Sequence, residues 1–203
     1  MITLIKEDFK DLELNEFPYD KAHSALGEYH YVKPEGNYGK WYDPICLHQW
    51  RSMDGSWLVT SDGTNRYLEQ NRGDNTKSSF KNVFCCLVHE RKLYSEYTLE
   101  FELRQFELAN FSGMAFNYET SRCYDFIGIK GKDIALYHRD EETITTYIEK
   151  TFRFDDTKTY MFKVEVSNTV TVYLNGDKIL EAMVPFKQGL RIACVSKAAC
   201  RYS

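Results

Sequence analysis

Alternating hydrophobic and polar positions are the main pattern of the chain from about residue 81 onward. In residues 97–104, large apolar or aromatic side chains occupy the odd positions, and threonine, glutamate and arginine occupy the even ones. Because successive side chains of a β-strand point to opposite faces, this period of two predicts a strand with one solvated face. Residues 160–166 repeat the pattern, and the mostly apolar run 83–88 predicts a strand buried on both faces.

Turn residues separate the predicted strands at regular intervals. Asn175-Gly176 lies between the predicted strands 170–174 and 178–182 and is a strong hairpin signal, because both residues accept positive φ angles. Further strands are predicted at 57–60, 66–70, 113–118, 123–130, 134–139, 144–148 and 189–195. About twelve short strands with almost no helical period predict an all-β fold, a sandwich of two antiparallel sheets.

The first third of the chain lacks such a pattern. Residues 15–45 mix asparagine, proline, glycine, histidine and tyrosine without a sustained period, which predicts long loops. We therefore expect a single β-sandwich domain over residues 1–203, made of a loop-rich N-terminal part at 1–55 and a sandwich core at 56–203.

The composition excludes several classes of protein. With 43% hydrophobic and 28% charged residues among 203, the chain is globular. Its formal net charge of −4 gives no overall positive field that would attract nucleic acid. The sequence also contains no run of about 18 consecutive apolar residues, the length needed to span a bilayer. We therefore expect neither nucleic acid nor a membrane as a partner.

The cysteines bear on the cellular compartment. All six are irregularly spaced, without a C-x-x-C pair or other metal-ligand spacing. Together with an N-terminus that lacks the features of a signal peptide, this predicts free thiols in a cytoplasmic protein. A disulfide between Cys123 and Cys200 is the alternative, and an extracellular location would follow if a leader had been removed.

An ordered set of segments covers about three-quarters of the chain, from Trp57 to Tyr202. They are 57–63 (WLVTSDG), 97–104, 113–116 (GMAF), 160–166, 172–176 (VYLNG), 189–193 (GLRIA) and 200–203 (CRYS). In this order they resemble the concanavalin A-like lectin/glucanase superfamily, and they look most similar to its laminin-G-like and family-16-glycosidase-like domains.

The resemblance implies a jelly roll of two curved antiparallel sheets, with the concave face and its rim loops available to a saccharide. In such domains a further strand normally follows the last matching segment, whereas this sequence stops at Ser203. We therefore expect a domain excised from a longer protein, or an incomplete sheet edge.

Catalysis does not follow from the resemblance. The hydrolytic members carry a strand of the form E-x-D-x-x-E, in which alternate carboxylates face one cleft, about 5–5.5 Å apart for a retaining mechanism. Glu100 and Glu102 come nearest to this pattern, but the third carboxylate is missing. Their strand has the composition of an ordinary solvated face, so we predict no catalytic residue.

Aromatic and polar side chains concentrate together in three segments. Sugars present an apolar face of C–H groups and a rim of hydroxyls, which proteins bind by ring stacking and by hydrogen bonds. The predicted ligand-binding residues are Trp41, Tyr42, His48, Trp50 and Arg51 in the first segment, Asn117, Tyr118, Arg122, Tyr124 and Asp125 in the second, and Lys130, Tyr137, His138 and Arg139 in the third. The second and third sets lie on adjacent predicted strands and could share the concave surface. The alternative is that the tryptophans fill the core and the tyrosines cap strand edges.

Other constellations have ordinary explanations. Cys46 lies two residues from His48, but a packed thiol beside a surface imidazole explains the pair better than a nucleophile and its base. Polar turns at Asp62, Asn65, Asp74 and Asn75 could offer oxygens to a structural calcium ion, yet they lack the calcium-loop spacing, and turn chemistry explains them better. We predict no other cofactor and no metal ligand.

Three functional hypotheses remain. The first is a non-catalytic carbohydrate-recognising module of a polysaccharide-processing protein, with an oligo- or polysaccharide as its partner. The second is a glycoside hydrolase or polysaccharide lyase with its own acid and base. The third is a structural module that packs against another domain of the same polypeptide.

Overall fold

The computed structural model describes residues 4–10, 14, 41–42, 57–70 and 84–203. The predicted ligand-binding residues His48, Trp50 and Arg51 lie outside these ranges, as do Cys46, Asp74, Asn75 and the side chain of Tyr42.

Strands within these ranges form two antiparallel sheets, seven strands in each. Sheet I has the order β1 (Trp41–Tyr42), β4 (Cys85–His89), β13 (Arg191–Ser196), β6 (Ser112–Tyr118), β7 (Cys123–Lys130), β8 (Asp133–Asp140) and β9 (Thr143–Thr151). Sheet II has the order β12 (Asp177–Met183), β11 (Thr169–Leu174), β10 (Tyr160–Val166), β5 (Tyr97–Gln105), β14 (Cys200–Tyr202), β3 (Arg66–Gln70) and β2 (Trp57–Ser61). The predicted two-sheet, all-β sandwich is confirmed.

Local signals in the sequence account for most of these elements. The hairpin between β11 and β12 turns at Asn175 and Gly176, whose φ angles are +51° and +93°, as the dipeptide predicts. Strand β5 buries Phe101 and Leu103 and exposes Thr98, in agreement with its period of two. Two short strands were not predicted: β1 lies in the part expected to be loop-rich, and β14 pairs with both β3 and β5 in the middle of sheet II.

The main core lies between the two sheets. Phe101 and Phe162 stack there with ring centroids 5.0 Å apart, and Trp57 packs against Tyr202 at 6.0 Å. Trp57 is 1% exposed, so the core-filling interpretation is the correct one for this tryptophan.

Sheet I is also buried on its other face. Along β7, Ile127 and Ile129 pack into the core between the sheets, whereas Tyr124 and Phe126 belong to a second apolar cluster on the opposite side. Since alternate residues of a strand point to opposite faces, this second cluster lies on the outer face of sheet I.

Tyrosine hydroxyls link the sheets across the core. Tyr202 of sheet II lies 2.7 Å from the carbonyl oxygen of Gly113 in sheet I, and the Tyr97 hydroxyl donates to the carbonyl oxygen of Phe116 at 2.6 Å. Burial raises the pKa of both phenols well above the usual value, because a phenolate would lose its hydration. Strand β6 carries a bulge where its register with β13 shifts, and Tyr97 supplies a partner for a carbonyl there.

Five cysteines lie within the described ranges, and none of them forms a disulfide bond. Cys123 and Cys200 are therefore not bonded to each other, and the prediction of free thiols is confirmed for these residues. No helix among the described residues is long and apolar enough to cross a membrane.

Gly113 marks the closest approach of β6 and β7 and gives the first testable prediction. A Cβ atom at this position would lie 1.9 Å from the carbonyl oxygen of Ile127 and 2.8 Å from the Cα of Gly128, both backbone atoms. We expect Gly113→Ala to lower the free energy of unfolding by about 3 kcal/mol, because the two strands must separate. Urea denaturation measures this loss.

The matched control is Gly63→Ala. A Cβ atom at Gly63 would meet nothing within 4 Å, and only its φ of +94° opposes a side chain. This variant should lose only about 1 kcal/mol. Equal losses in the two variants would contradict the proposed close approach.

Candidate functional site

The outer face of sheet I carries a continuous cluster of aromatic rings. Phe84 contacts Tyr124 and Phe126, and Phe126 stacks on Tyr137 with centroids 4.9 Å apart. Phe111 contacts Tyr137 edge to face at 5.3 Å. The cluster crosses β7 and β8 because these residues alternate with those that face the core between the sheets.

One end of this aromatic cluster is closed to any ligand. Tyr118 and Tyr124 stack on each other at 5.8 Å, and neither has any exposed surface. Arg139 is 3% exposed and donates hydrogen bonds to the Tyr124 hydroxyl and to the carbonyl oxygen of Glu141. In this structure the three predicted residues Tyr118, Tyr124 and Arg139 therefore offer almost no exposed surface for contact with a saccharide. They form a buried polar and aromatic cluster that sheet I needs for its own packing.

The other end of the cluster opens into a groove of about 710 Å³. Phe111 and Tyr137 form its aromatic wall. Its remaining lining residues are Ala109, Lys130, Gly131, Lys132, Asp133, Ile144, Thr146 and Glu149. Lys130 and Tyr137, both predicted ligand-binding residues, thus lie together, on adjacent strands of sheet I.

Tyr137 has an unusual environment in this groove. Its side chain is almost fully buried, at 5% exposure, with one ring face against Phe126. No hydrogen bond of its hydroxyl to any described residue is present. Burial, and then the nearby carboxylates of Glu149 and Asp133, raise the pKa of Tyr137 to about 12, so the phenol stays protonated and can donate a hydrogen bond.

Charged side chains line the same groove. The Lys130 ammonium lies 4.6 Å from the centroid of the Phe111 ring, a cation–π contact that holds it beside the aromatic wall. Asp133 accepts a hydrogen bond from the Thr151 hydroxyl at 3.2 Å, and Glu149 is exposed. The groove therefore offers a phenol donor, carboxylate acceptors and ammonium donors around an apolar wall.

The opposite face of the same strands carries a separate polar network around Asp125. This carboxylate, 1% exposed, accepts hydrogen bonds from Asn117 at 2.8 Å and from the Tyr147 hydroxyl at 3.0 Å, and it pairs with Nδ1 of His138 at 2.7 Å. Asn117 also donates to the carbonyl oxygen of Pro185. Asp125 and His138 therefore face away from Tyr137, because they occupy the alternate positions of β7 and β8, and Asn117 joins them through its hydrogen bond to Asp125.

The network coincides with a bulge that shapes the groove. Leu136 pairs with Ile148, but Tyr137 pairs with Thr146, so Tyr147 is an extra residue in β9. The hydroxyl of Tyr147 is directed to Asp125, on the face away from the groove. As a result, Thr146 and Glu149 both reach the groove although they are three residues apart.

Two further predicted residues lie away from the groove. Trp41 is 3% exposed, packs edge to face on His89 and donates its indole N–H to Glu7, so its ring is not open to a sugar in this structure. Arg122 is exposed in the turn before β7 and forms a salt bridge with Glu141 at 3.3 Å.

The alternative catalytic pair also lies elsewhere. Glu100 and Glu102 project from the outer face of sheet II, where Glu102 accepts a hydrogen bond from the Ser203 hydroxyl. Glu100 is opposite Lys163 on β10. The pair therefore occupies the sheet opposite the groove, on a charged and solvated surface.

Comparison with known proteins identifies the architecture. No family model and no curated protein sequence matches the chain. The carbohydrate binding module CBM66 from Bacillus subtilis has a similar structure, with a TM-score of 0.62 at 12% identity over 81% of this chain and 92% of that chain. A Bacillus subtilis protein of unknown function with a galectin-like fold gives 0.56 at 9% identity over 84% and 90% of the two chains. A sialidase gives 0.50 at 12% identity, over 80% of this chain and 16% of its own.

The fold is a concanavalin A-like jelly roll. The jelly-roll architecture that the resemblance implies is thereby confirmed. At these sequence identities the similarity shows how the strands are arranged. The chemistry of the site must be argued from the side chains of this chain.

Sequence reasoning missed several lining residues of this jelly roll's groove. Lys132 and Asp133 were assigned only to the turn between β7 and β8, and Phe111 lies just before β6. Thr146 and Glu149 could not be assigned to one face, because the bulge breaks the period of two. Tyr137, which lines the groove, was among the predicted residues because aromatic and polar residues are mixed in its segment of the sequence.

Turn chemistry explains the polar loop that was considered as a calcium site. Asp62 accepts backbone N–H bonds from Thr64 and Asn65 and a hydroxyl bond from Tyr67. The backbone N–H of Asn65, followed by the Tyr67 hydroxyl, lowers the pKa of Asp62 to about 2. Within the described ranges no group of three or more ligating side chains could hold a metal ion.

Tyr147→Phe tests whether the Asp125 network maintains the bulge. Removing this hydroxyl deletes one hydrogen bond to the buried carboxylate, and we expect a loss of about 1 kcal/mol in the free energy of unfolding. Cross-strand nuclear Overhauser effects between residues 137 and 146 should weaken as the register loosens. Tyr173→Phe is the control, since Tyr173 also bonds a carboxylate, that of Glu165 in sheet II. Unchanged 137–146 contacts in Tyr147→Phe would exclude this role.

Asp62 gives a prediction on pH. Its pKa is lower in the folded state than the usual 3.8 of the unfolded chain, so its stabilising contribution is complete above that value and is lost as the pH falls toward about 2. The stability difference between the wild type and Asp62→Asn should therefore shrink between about pH 5 and pH 2. Urea denaturation of both proteins across this pH range measures the difference in the free energy of unfolding. A difference that does not change with pH would refute the prediction.

Proposed function

We propose that this protein is a non-catalytic carbohydrate-binding module that holds a saccharide in the groove on the outer face of sheet I. The observation that carries the proposal is Tyr137, a nearly buried phenol whose hydroxyl has no hydrogen bond to a described residue and lies in an open groove. The Tyr137 hydroxyl reaches the groove, so a ligand hydroxyl bound there can accept its proton and form a hydrogen bond.

The remaining groups in the groove suit the same class of ligand. Phe111 and Ile144 offer apolar surface to the C–H groups of a sugar ring. Glu149 and Asp133 can accept hydrogen bonds from sugar hydroxyls, and Lys130 can donate one. Because the groove is open to solvent, we expect it to bury only part of a ligand and to bind it with weak to moderate affinity.

The structural relatives support this class of function. The described fold resembles that of a protein whose name is carbohydrate binding module, and the groove supplies the contacts that such a role needs. We further propose that the module belongs to a polysaccharide-processing protein and directs it to its substrate. The carboxylate pair Glu100 and Glu102, which comes nearest to the hydrolytic pattern, lies on the other sheet and not in this groove.

Tyr137→Phe tests the proposal directly. We expect this variant to fold normally and to bind its saccharide roughly fivefold more weakly, since it loses a hydrogen bond worth about 1 kcal/mol. A glycan array of plant and microbial oligosaccharides would identify the strongest binder, and calorimetric titration would then compare the wild type with the variant. Tyr173→Phe, on sheet II, is the control and should bind as the wild type does.

Two results would contradict the proposal. One is the absence of binding to any glycan on the array at millimolar concentration. The other is saccharide binding that Tyr137→Phe leaves unchanged, which would place the ligand elsewhere on the molecule. Turnover of the bound glycan would favour the glycosidase or lyase alternative instead.

A further inference from the structure

A polar layer lies between the two sheets at one end of the core. It consists of two facing rows of side chains, in which each residue is paired in register with the next across neighbouring strands. The row on sheet II contains Trp57, Gln70, Cys200 and Gln105. The row on sheet I contains Cys85, Ser196 and Ser112. The space between the sheets is therefore lined by polar groups at this end.

Hydrogen bonds join the two rows in the middle of the layer. The side-chain amide of Gln70 donates to the Cys85 thiol at 3.4 Å, and the Cys200 thiol donates to the Ser196 hydroxyl at 3.3 Å. The Ser196 hydroxyl also donates to the carbonyl oxygen of Ala198. These contacts show that the rows face each other, and they satisfy the centre of the layer within the protein.

Other polar atoms of the layer have no such partner. They are Trp57 Nε1, Gln70 Oε1, Gln105 Oε1 and Ser112 Oγ, and none of them forms a hydrogen bond with a described residue. Their residues are at most 2% exposed, so solvent at the surface does not reach them either. Because an unpaired buried polar group costs free energy, such groups in native proteins are nearly always bonded to the protein or to ordered water.

These atoms occur as two pairs of one donor and one acceptor. The Trp57 indole can only donate, and its register partner Gln70 offers the acceptor Oε1. At the other end of the layer, the Ser112 hydroxyl can donate and Gln105 Oε1 can accept. The Gln105 amide nitrogen donates to the carbonyl oxygen of Asn110, which holds this amide beside the segment that leads into Ser112.

We infer that each pair is bridged by an internal water molecule. Water can accept a hydrogen bond from the donor of a pair and give one to its acceptor, and the burial of the site favours a ligand of this small size. An ion is disfavoured because the layer contains no carboxylate, ammonium or guanidinium group, and because burial raises the pKa of the Cys200 thiol to about 12. The inference stands independently of the proposed function.

One of these water molecules supports a segment that forms the groove. Gln105 ends β5 and Ser112 begins β6, so their bridge closes the connection between the two strands from the core side. Ala109 and Phe111, which belong to that connection, line the groove on the outer face. The buried water therefore belongs to the scaffold of the groove wall.

The test counts internal water molecules in the full chain. Magnetic relaxation dispersion of water oxygen-17 reports the long-lived waters of a protein in solution, and it is measured for the wild type, Ser112→Ala and Gln70→Met. Each variant removes one polar member of a different pair, so we expect each to lose about one long-lived water. Ser203→Ala is the control, because it removes an exposed hydroxyl that donates to Glu102, and it should retain the wild-type count.

The Trp57 indole gives a second readout that needs no variant. In the labelled wild type, its Nε1 proton should show a nuclear Overhauser effect to water, with opposite signs in the laboratory and rotating frames, as for a water that stays bound. Absence of this effect would overturn the bridge at Trp57 and Gln70 even if Gln70→Met does not fold. A count that Ser112→Ala leaves unchanged would overturn the bridge at Gln105, and both results together would refute the inference.

Discussion

Sheet I buries both of its faces, and this constraint governs how the rest of the molecule is arranged. Ile127 and Leu136 face sheet II, whereas Phe126 and Tyr137, which alternate with them, pack in the outer aromatic cluster. The Asp125 carboxylate, which is 1% exposed, must find partners within the protein, because water does not reach it. The hydrogen bonds of Asp125 and its neighbours therefore follow from the burial, and they constrain the strands in turn.

Two β-bulges change the register between neighbouring strands of sheet I. In β6, the extra residue changes the register with β13 near a carbonyl group that the Tyr97 hydroxyl then satisfies from sheet II. In β9, the extra residue is Tyr147, which turns toward Asp125 and leaves Thr146 opposite Tyr137. The position of Tyr147 on the inner face thus determines which residues of β9 reach the groove on the outer face. The groove and the polar network lie on opposite sides of the same strands, yet they are mechanically connected through the backbone.

The groove arises where the outer aromatic cluster ends. Toward Tyr118 and Tyr124 the rings are covered, and they only stabilise the sheet. At the end formed by Phe111 and Tyr137, the aromatic cluster borders exposed charged residues and the turn between β7 and β8. The Tyr137 hydroxyl is accessible to a ligand there. Solved structures with a similar arrangement of strands are only 12% and 9% identical to this chain in sequence. Function on this fold therefore depends on which aromatic rings remain exposed to a ligand and on which charged side chains lie near them.

The sequence by itself determined the strands, the hairpin at Asn175-Gly176 and the sandwich class, because side-chain alternation and turn preferences act over a few residues. It also indicated Lys130 and Tyr137 as site residues through their mixture of aromatic and polar chemistry. Only the tertiary structure decided which of the two faces each residue joined. A single bulge shifts the period of two, so that Thr146 and Glu149 enter the groove. Burial of Trp41, Tyr118 and Tyr124 depends on contacts between segments far apart in the chain, and no local pattern reports such contacts.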